Sequence, residues 1–499
     1  MCNRTIAISR RNNFTYPEED SEFRPSTEYP EYLFKDDISK SNNEAYDQVR
    51  SCFALMGYDK DNFGKKEWNP LKEIIKPGNN VLIKPNFVQD KNLSGDTEKC
   101  LYTQPAVIAP VIDYVILALG FAEGYLNGKI TIADAAMQEC NFELLVKKSG
   151  LDKLIEFYKK KGIEIHLVDT RKVIMENNPS GIPYYHEREV VSHIVSLDNE
   201  SEFAKLTDEE NRRLRKGAND PNDLYEHHHV GKHEYAITDT LLACDVLIDM
   251  PKPKTHKKAG VTIALKNMVG VNVRKEYLPH HMEGSKSSGK GDAYKNSNIF
   301  KAGRASARDK VYVYALQNKR ITAKFMRFLR RAFAFLMKCS SKDIVTEGTW
   351  YGNNTISKTI IDLNKICMYA DKNGVMQDRP QRKRIIVADM IISGEGAGPL
   401  APTAKKVGVI AVGTDAVMFD ECIAKIMGAN INRIPTLVNA RSVLGKYQLT
   451  TTNSVGLIRS ECKEWDGKTS KTIDAKDTLG YIPISEWQYA FNNDDLGEV

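Results

Sequence analysis

The sequence predicts an α/β protein with mostly parallel sheets flanked by helices, in two sub-domains with a cleft between or beside them. Two observations predict this class. Short runs rich in β-branched residues recur along the chain. Between these runs lie polar residues and then stretches whose apolar residues have helical spacing. Apolar strands that alternate with helices are typical of βαβ units. The runs are VLIKPNF (81–87), KITIADA (129–135), IEIHLVD (163–169), DVLIDMP (245–251), RIIVADMII (384–392) and VGVIAVG (407–413).

Composition divides the chain into five predicted regions. A helix is predicted over 105–120, because Pro105 lies near its start and Gly120 just past its end. Residues 283–310 are rich in Gly, Ser and Lys, which predicts a long mobile loop. The regions are an extended polar lead-in (1–45), an α/β domain with a lysine and histidine motif (46–275), the mobile loop with a basic amphipathic helix (276–345), a second α/β part with a glycine-rich turn (346–445) and a C-terminal tail (446–499).

Charge and cysteine content argue against several classes of function. The 499-residue chain carries 71 basic and 65 acidic residues, whereas a nucleic-acid binder needs a concentrated basic face. Its nine cysteines include no C-x-x-C pair, so we expect neither an iron–sulphur cluster nor a zinc ribbon. The first 20 residues lack the apolar core of a signal peptide, and no run of 18 apolar residues occurs. We therefore expect a cytoplasmic protein without a nucleic-acid partner.

Polar side chains cluster just after the predicted strands. Ligands of open α/β sheets bind outside the carboxyl ends of the strands, so these side chains predict one shared cleft. The alternative is that they are polar only because loops are polar. Lys84 and Asn86 follow the first run, Asp134 and Gln138 the second, Asp169 and Arg171 the third, Lys252, Lys254 and His256 the fourth, and Asp389 and Glu395 the fifth.

The strongest local motif is MPKPKTHKKAGVTIALKNMVGVN at 250–272. His256 is a candidate acid or base, since histidine transfers protons near neutral pH. Lys266 is a candidate anion or cofactor anchor, or a Schiff-base lysine if its pKa is depressed. The adjacent histidines that follow, His280 and His281, are candidate metal ligands. The alternative is a solvated basic loop, with Lys266 on a helix surface.

A second motif, IIVADMIISGEGAGPLAP at 385–402, predicts a glycine-rich turn after a strand. Its glycines let backbone N–H groups approach an anion. They are Gly394, Gly396 and Gly398. Its carboxylates, Asp389 and Glu395, suit a divalent cation or acid–base chemistry. The alternative is a structural turn with capping carboxylates.

A third motif, KRITAKFMRFLRRAFAFLMK at 319–338, has the pattern of a basic amphipathic helix. It contains seven basic residues and no acidic residue. This composition predicts a helix that lies on a membrane surface, and the alternative is a helix packed on the core. The predicted apolar face comprises Ile321, Phe325, Phe328, Leu329, Ala332, Phe333 and Leu336, and the basic face Arg320, Lys324, Arg327 and Arg331.

Several of these motifs occur in an order that resembles the domain-of-unknown-function family 362. They are IKPNFV, ITIADAAMQ, VLIDMPKPKTHKKAGVTIALKNMVG, GNNTISKTIIDLN and GEGAGPL, and the resemblance covers most of 78–430. The family is uncharacterised, and some members carry a ferredoxin module whose cysteines this sequence lacks. Members with this longer layout resemble proteins found alongside bacterial surface-polysaccharide genes. The resemblance therefore implies a context and no mechanism.

The motif at 250–272 is also similar to a segment of the nickel-pincer racemases, typified by lactate racemase. His256, the stretch AGVTIALK that ends at Lys266, and His280 or His281 follow one another in a similar order. In that family the lysine holds the cofactor, and the histidines ligate nickel and move the proton. The paired glycines of the family's segment are Ile263 and Ala264 here.

Two functions follow from the sequence. The first is an enzyme that acts on a small polar or anionic substrate, with surface-polysaccharide metabolism as the implied context. The second is a non-catalytic ligand-binding or scaffold protein at the inner membrane surface. The sequence leaves the cofactor open, with a divalent metal as a candidate. The predicted site residues are His256, Lys266 and Glu395 for catalysis, Lys84, Asn86, Asp134, Lys252, Lys254, Gly394, Gly396 and Gly398 for ligand binding, and Asp389, His280 and His281 for metal ligation.

Overall fold

A computed structural model describes most of the chain. The described residues are 4–12, 14–17, 22–122, 124–177, 183–217, 220–317, 319–341, 343–443, 445–451 and 454–491. Within these ranges the chain forms nineteen strands and thirteen α-helices.

The strands are β1 (Thr5–Arg10), β2 (Asn80–Pro85), β3 (Phe121–Ala122), β4 (Tyr125–Leu126), β5 (Lys129–Asp134), β6 (Ile165–Asp169), β7 (Val173–Asn177), β8 (Pro183–Glu187), β9 (Ser192–Ser196), β10 (Leu214–Arg215), β11 (His228–His229), β12 (Lys232–Thr238), β13 (Val246–Met250), β14 (Lys254–His256), β15 (Gly260–Thr262), β16 (His281–Met282), β17 (Lys383–Ala397), β18 (Ala401–Gly413) and β19 (Leu457–Ser460).

The helices are α1 (Glu44–Leu55), α2 (Pro105–Leu119), α3 (Phe142–Ser149), α4 (Leu151–Lys159), α5 (Asp208–Asn211), α6 (Pro221–His227), α7 (Asp239–Leu242), α8 (Ala264–Asn267), α9 (Ile299–Leu316), α10 (Arg320–Ser340), α11 (Thr355–Tyr369), α12 (Ala416–Met427) and α13 (Pro435–Ser442).

One ten-stranded sheet organises the molecule, and it confirms the predicted α/β class. Its main path runs β19, β1, β18, β17, β13, β2, β5, β6, and β14 with β15 extends it beside β17. The strands from β17 to β6 along this path are parallel, whereas β18 is antiparallel to both of its neighbours. Strands of both predicted α/β parts meet here, because β13 pairs with β17. A cleft between two sub-domains stays a prediction.

The apolar strands are buried on both faces. In β2, Val81 and Ile83 lie in the core that includes α1 and α2, whereas Leu82 lies in the core that includes α11. Successive side chains of a strand point to opposite faces, so an unbroken apolar run fits a sheet covered on both sides. The carboxyl ends of β2, β5 and β13 consequently meet at one edge of this layer.

The polar lead-in contains a strand that the sequence did not predict. Strand β1 lies between β18 and β19, antiparallel to the first and parallel to the second. Ile6, Ala7 and Ile8 are buried. The lead-in is thus part of the central sheet over this stretch.

The segment predicted as a mobile loop, 283–310, holds the first two thirds of helix α9, which begins at Ile299. The Asn298 side chain accepts hydrogen bonds from the N–H groups of Phe300 and Lys301, which caps the helix. Helix α10 follows at the place that the amphipathic pattern predicts. No helix of the described residues has the length and apolar character needed to cross a membrane.

The C-terminal tail also packs on the body. Strand β19 forms one edge of the sheet, and Trp465 and Trp487 are fully buried. Aromatic side chains of this size bury large apolar areas, so the tail contributes to the core.

Candidate functional site

A buried ion pair lies at the carboxyl ends of two neighbouring strands. Lys84 Nζ, on β2, is 2.7 Å from Asp134 Oδ1, on β5, and it also donates to Asn267 Oδ1 at 3.1 Å. The second oxygen of Asp134 accepts the N–H of Phe87 at 2.7 Å. Gly270 packs on this pair so closely that a Cβ there would lie 2.0 Å from Asp134 Oδ1. The strand-end pattern thus brings Lys84 and Asp134 together.

A chain of amide groups connects this pair to Lys254. Lys254 Nζ donates to Asn86 Oδ1 at 2.7 Å, and the Asn86 amide donates to Asn267 Oδ1 at 3.1 Å. Asn267 in turn donates to Asp249 Oδ1 at 2.6 Å. Burial, followed by the charge of Lys252, lowers the pKa of Lys254 to about 7. The hydrogen-bond partner of Lys254 is thus a neutral amide, and its amine can lose its proton near neutral pH.

Lys266 lies within electrostatic reach of this network, yet it makes no hydrogen bond or ion pair with the described part of the chain. Burial lowers its pKa to about 8, and the charges of Lys84 and Lys258 lower it further in the same direction. Lys258 has its own pKa lowered to about 8, chiefly by burial. Glu347 and Asp292 oppose the shift of Lys258. The two charges that act on Lys266 are both positive, so the positive potential is concentrated at Lys266.

The charge of Lys266 also lowers the pKa values of four other side chains. After burial, Lys266 is the largest electrostatic influence on His256, and it also contributes to the lowered pKa values of Lys254, Lys275 and His280. We call these residues the lysine–histidine cluster. It comprises Lys254, His256, Lys258, Lys266, Lys275 and His280.

The backbone fixes the tautomer of His256 in this cluster. Its Nδ1 accepts two backbone N–H groups, those of Lys258 and Ala259, each at 3.0 Å. Burial and the neighbouring lysines hold the pKa of the ring well below its usual range, so the ring is neutral. A neutral imidazole with an occupied acceptor at Nδ1 carries its proton on Nε2.

His280 has the opposite tautomer. Its Nδ1 is 2.7 Å from the carbonyl oxygen of Leu278, so Nδ1 donates and Nε2 keeps a free lone pair. Burial, Lys258 and Lys266 lower the pKa of the ring well below its usual range. The cluster therefore offers one neutral imidazole as a donor and one as a proton acceptor.

A cavity of about 220 Å³ lies on the far side of Gln138 from Lys216, and no residue of the cluster lines it. Gln138 forms part of its wall and accepts a hydrogen bond from Lys216. The charge of Lys216 in turn lowers the pKa values of Lys275 and His280. The other walls include Tyr185, Asp223, Arg274, Glu276 and Tyr312.

Asp389 and Lys252 form a separate buried pair. Lys252 Nζ is 2.9 Å from Asp389 Oδ2, which also accepts the N–H of Gln104, and the Tyr16 hydroxyl donates to Oδ1 at 2.7 Å. Every oxygen of this carboxylate is thus engaged by a protein donor. Burial lowers the pKa of Lys252, and Asp389 opposes that shift.

The structure does not bring Glu395 to the cluster. The predicted glycine-rich turn is shorter than expected, because β17 continues through Ala397 and Glu395 pairs with Thr403 inside the hairpin. Glu395 Oε2 accepts the N–H of Ile482 at 2.8 Å and is 3.1 Å from Lys405 Nζ. Its side chain therefore fixes the C-terminal tail.

Two of the three glycines of that motif allow close packing. A Cβ on Gly398 would lie 2.1 Å from the Thr255 carbonyl oxygen, and one on Gly394 would lie 3.2 Å from Lys254 Cβ. Gly396 has φ of 78° and donates its N–H to Ile482. Two of the glycines thus let β17 and its turn pack against the strand that carries Lys254.

The three residues predicted as metal ligands do not converge. Asp389 lies in its own pair, His280 lies in the cluster, and His281 is fully buried 3.6 Å from Glu283. Among the described residues, no three His, Cys, Asp or Glu side chains are arranged to hold a metal ion. Ile263 and Ala264, where the racemases have glycines, are fully buried in the core. The residues here do not fit a nickel-pincer cofactor.

Sequence reasoning missed five residues of the site. Lys258 and Asn267 stand next to predicted residues, and a search for neighbouring polar positions would have found them. Asp249 and Arg384 form a buried pair beside Asn267, and alternation within their strands would have placed them on its face. Lys275, whose Nζ donates to the Ala135 carbonyl oxygen at 2.7 Å, has no local signal.

The fold and the site define a mixed α/β protein with a lysine and histidine cluster beside its parallel strand ends. Residues 195–425 match the family model described as Domain of unknown function (DUF362). The resemblance that the motifs carry is confirmed over this segment, which is a little under half of the chain. Strands β2 and β5 precede the matched segment and pair with each other beside β13. No curated protein and no solved structure matches the chain.

Proposed function

We propose that the chain is an enzyme that binds a small anionic substrate at the lysine–histidine cluster and transfers a proton to or from it. One observation carries the proposal. Lys266 makes no hydrogen bond or ion pair with the described residues, although burial and two neighbouring lysines disfavour its charge. A poorly solvated cation is stabilised by a counter-ion, so an anion bound at Lys266 would complete the arrangement.

The substrate class follows from the donors. Ammonium groups bind carboxylate and phosphate as point charges, and Lys258 and Lys266 supply two of them. The Nε2–H of His256 would add a neutral hydrogen bond to the same anion. Lys84 and the amides of Asn86 and Asn267 would position Lys254 without contacting the substrate.

His280 would serve as the proton acceptor. A general base needs a lone pair and a hydrogen-bonded partner that orients the ring, and the Leu278 carbonyl supplies this partner. His256 is less suited to this step, because two backbone N–H groups occupy its Nδ1. The expected chemistry is proton transfer at a position next to the anionic group. A protein that only holds its ligand is the alternative.

Binding is tested with pyrophosphate, citrate and a sugar phosphate, by calorimetry and by thermal shift. The sugar phosphate tests the polysaccharide context. A ligand that binds the native state at 100 times its Kd adds about 2.7 kcal/mol of stability. Lys266→Met should weaken binding roughly 10- to 100-fold, since a hydrogen bond to a charged group contributes about 1.5–3 kcal/mol. Lys372→Met, at an exposed position, is the matched control and should bind like the wild type.

The pH dependence gives a second readout. An anion binds the protonated amine, and the pKa of Lys266 is lowered to about 8. Affinity should therefore be highest below pH 8 and fall as the pH rises to 9.5. Wild-type affinity in Lys266→Met, or the absence of binding for all three anions at low salt, would contradict the proposal.

Catalysis is tested by hydrogen exchange of bound hydroxy and keto acids in D2O. His280→Gln should retain the ligand and lose the exchange. Binding without exchange in the wild type would identify a ligand-binding protein and exclude the proton-transfer step for these substrates.

A further inference from the structure

Helix α10 exposes an apolar stripe along its length. The stripe comprises Ile321, Phe325, Phe328, Phe335 and Leu336, which are 86%, 55%, 65%, 67% and 40% exposed. Successive members are four, three, seven and one residues apart, and at 100° per residue these spacings place all five side chains on one face of the helix. Large apolar side chains on a soluble surface are usually scattered singly, and a continuous row marks a surface that another apolar phase covers.

The core does not account for this stripe. Helix α10 packs along α9, where Phe333 lies against Gly303. The residues of α10 that are buried are Ala323 and Met337, on the side opposite Phe325 and Phe328. The exposed phenylalanines therefore point away from the hairpin partner.

The charge beside the stripe has one sign. Residues 319–338 contain seven basic residues and no acidic one. Lys324, Arg331 and Lys338 make no ion pair within the described ranges. Three of the seven basic residues, Arg327, Arg330 and Arg331, also line a groove between the two helices. The surface is thus complementary to an anionic partner.

The hairpin is held firmly enough to present this surface. Arg308 of α9 donates to Asp309 at 2.8 Å and to Glu283 at 3.4 Å, and it is 3.7 Å from Glu347. Lys301 is 2.7 Å from Asp343. These contacts connect α9 to the chain on both sides of the hairpin.

We propose that helix α10 docks on an anionic lipid surface, with its phenylalanines in the interface and its lysines and arginines among the headgroups. A bilayer offers both parts of the complementary surface, an apolar boundary and a layer of negative charge. A nucleic-acid duplex offers the charge without the apolar boundary. This inference is independent of the proposed function, since α10 contributes no residue to the lysine–histidine cluster.

The test is co-sedimentation of the full chain with vesicles of phosphatidylcholine, with and without 30% phosphatidylglycerol. We expect binding to the anionic vesicles that falls at least tenfold between 0.05 and 0.5 M salt, because the Debye length shortens. Phe325→Ser, Phe328→Ser and Phe335→Ser together should reduce it at least tenfold with no change in melting temperature. The matched control combines Tyr125→Ser, Val230→Ser and Val375→Ser, at positions 69%, 57% and 56% exposed elsewhere.

A charge variant keeps the test decisive if the triple variant fails to fold. Lys324→Gln with Arg331→Gln should weaken binding about tenfold or more, and Lys372→Gln with Lys463→Gln should not. Equal or negligible binding to both kinds of vesicle at low salt would overturn the proposal. So would a wild-type dimer that the phenylalanine variant converts to a monomer, since the stripe would then cover a second copy.

Discussion

At the scale of single residues, the two histidines of the cluster differ only in which ring nitrogen the backbone engages. His256 accepts two N–H groups at Nδ1, and His280 donates from Nδ1 to a carbonyl. The hydrogen-bond partner of one nitrogen fixes the state of the other, so local backbone geometry decides the chemical role of each ring. Residue type alone does not distinguish a donor from a base.

Histidine-selective ¹⁵N NMR should show these opposite tautomers. We expect an unprotonated Nδ1 in His256 and an unprotonated Nε2 in His280, assigned with His256→Gln and His280→Gln among the ten histidines. Burial lowers both pKa values, so both rings should stay neutral at pH 6, near the unperturbed value of about 6.5. The free energy of unfolding should consequently fall as the pH drops below about 6.5, because the two histidines bind protons in the unfolded chain and stay neutral in the folded one. Imidazolium shifts for both rings at pH 6 would contradict the assignment.

Residue patterns predicted one half of the site and not the other. Lys84, Asn86, Asp134 and Lys254 came together because parallel strands end at one edge, which is a rule of topology. Glu395 did not join them. The sequence predicted that its strand ends before it, whereas β17 continues through Ala397 and alternation turns the side chain toward the tail. A prediction that ends a strand a few residues too early therefore places a candidate catalytic side chain, here that of Glu395, in the wrong surroundings.

At the scale of elements, the hairpin of α9 and α10 shows what local patterns can and cannot predict. The amphipathic pattern predicts α10 over 319–338, and the helix spans Arg320–Ser340. Helix α9 is hidden by a Gly-, Ser- and Lys-rich composition that favours a loop. The cap at Asn298 stabilises its first turn. Arg308 also forms ion pairs with Glu283 and Glu347, and a short sequence window around α9 does not contain these two partners.

Arg308→Met should loosen this hairpin without unfolding the sheet. Arg308 is 2% exposed and faces three carboxylates, those of Glu283, Asp309 and Glu347. Its removal takes the arginine partner from Glu283, whereas Asp309 keeps Arg215 at 2.8 Å and Glu347 keeps Arg304 at 3.1 Å. Breaking a buried ion pair costs about 3–5 kcal/mol, and we expect the lower end of this range because two of the three carboxylates stay paired. Hydrogen exchange should then rise in α9 and α10 and stay unchanged in β2 and β13, since local units open independently of the core.

The matched control for this prediction is Arg212→Met. Arg212 pairs with Asp208 at an exposed site, where a single ion pair contributes about 0–1 kcal/mol. Unchanged exchange of α9 in Arg308→Met would show that the ion pairs of Arg308 do not hold the hairpin.

At the scale of the whole molecule, the sheet joins segments that are far apart in sequence. Strand β1 near the N-terminus bridges β18 and β19, which lie about 400 residues later along the chain. The sequence predicted six strands of this sheet from their apolar runs. It did not predict β1, because this six-residue strand lies in a polar lead-in and is stabilised by partners that are far away in sequence. It also did not predict that β18 is antiparallel.

Ile8→Ala should therefore destabilise the entire sheet. Ile8 is fully buried and pairs with Ala411 on one side and Ser460 on the other. Removing three buried carbons and leaving a cavity costs about 2–5 kcal/mol, and we expect a loss in that range in urea unfolding. Ile482→Ala makes the same chemical change at a side chain that is 63% exposed, and it should stay within about 0.5 kcal/mol of the wild type. Hydrogen exchange should rise in both β18 and β19 in the first variant, because β1 connects them. A loss confined to β19, with β18 and the unfolding free energy unchanged, would mean that β1 is an accessory edge and that the core closes without it.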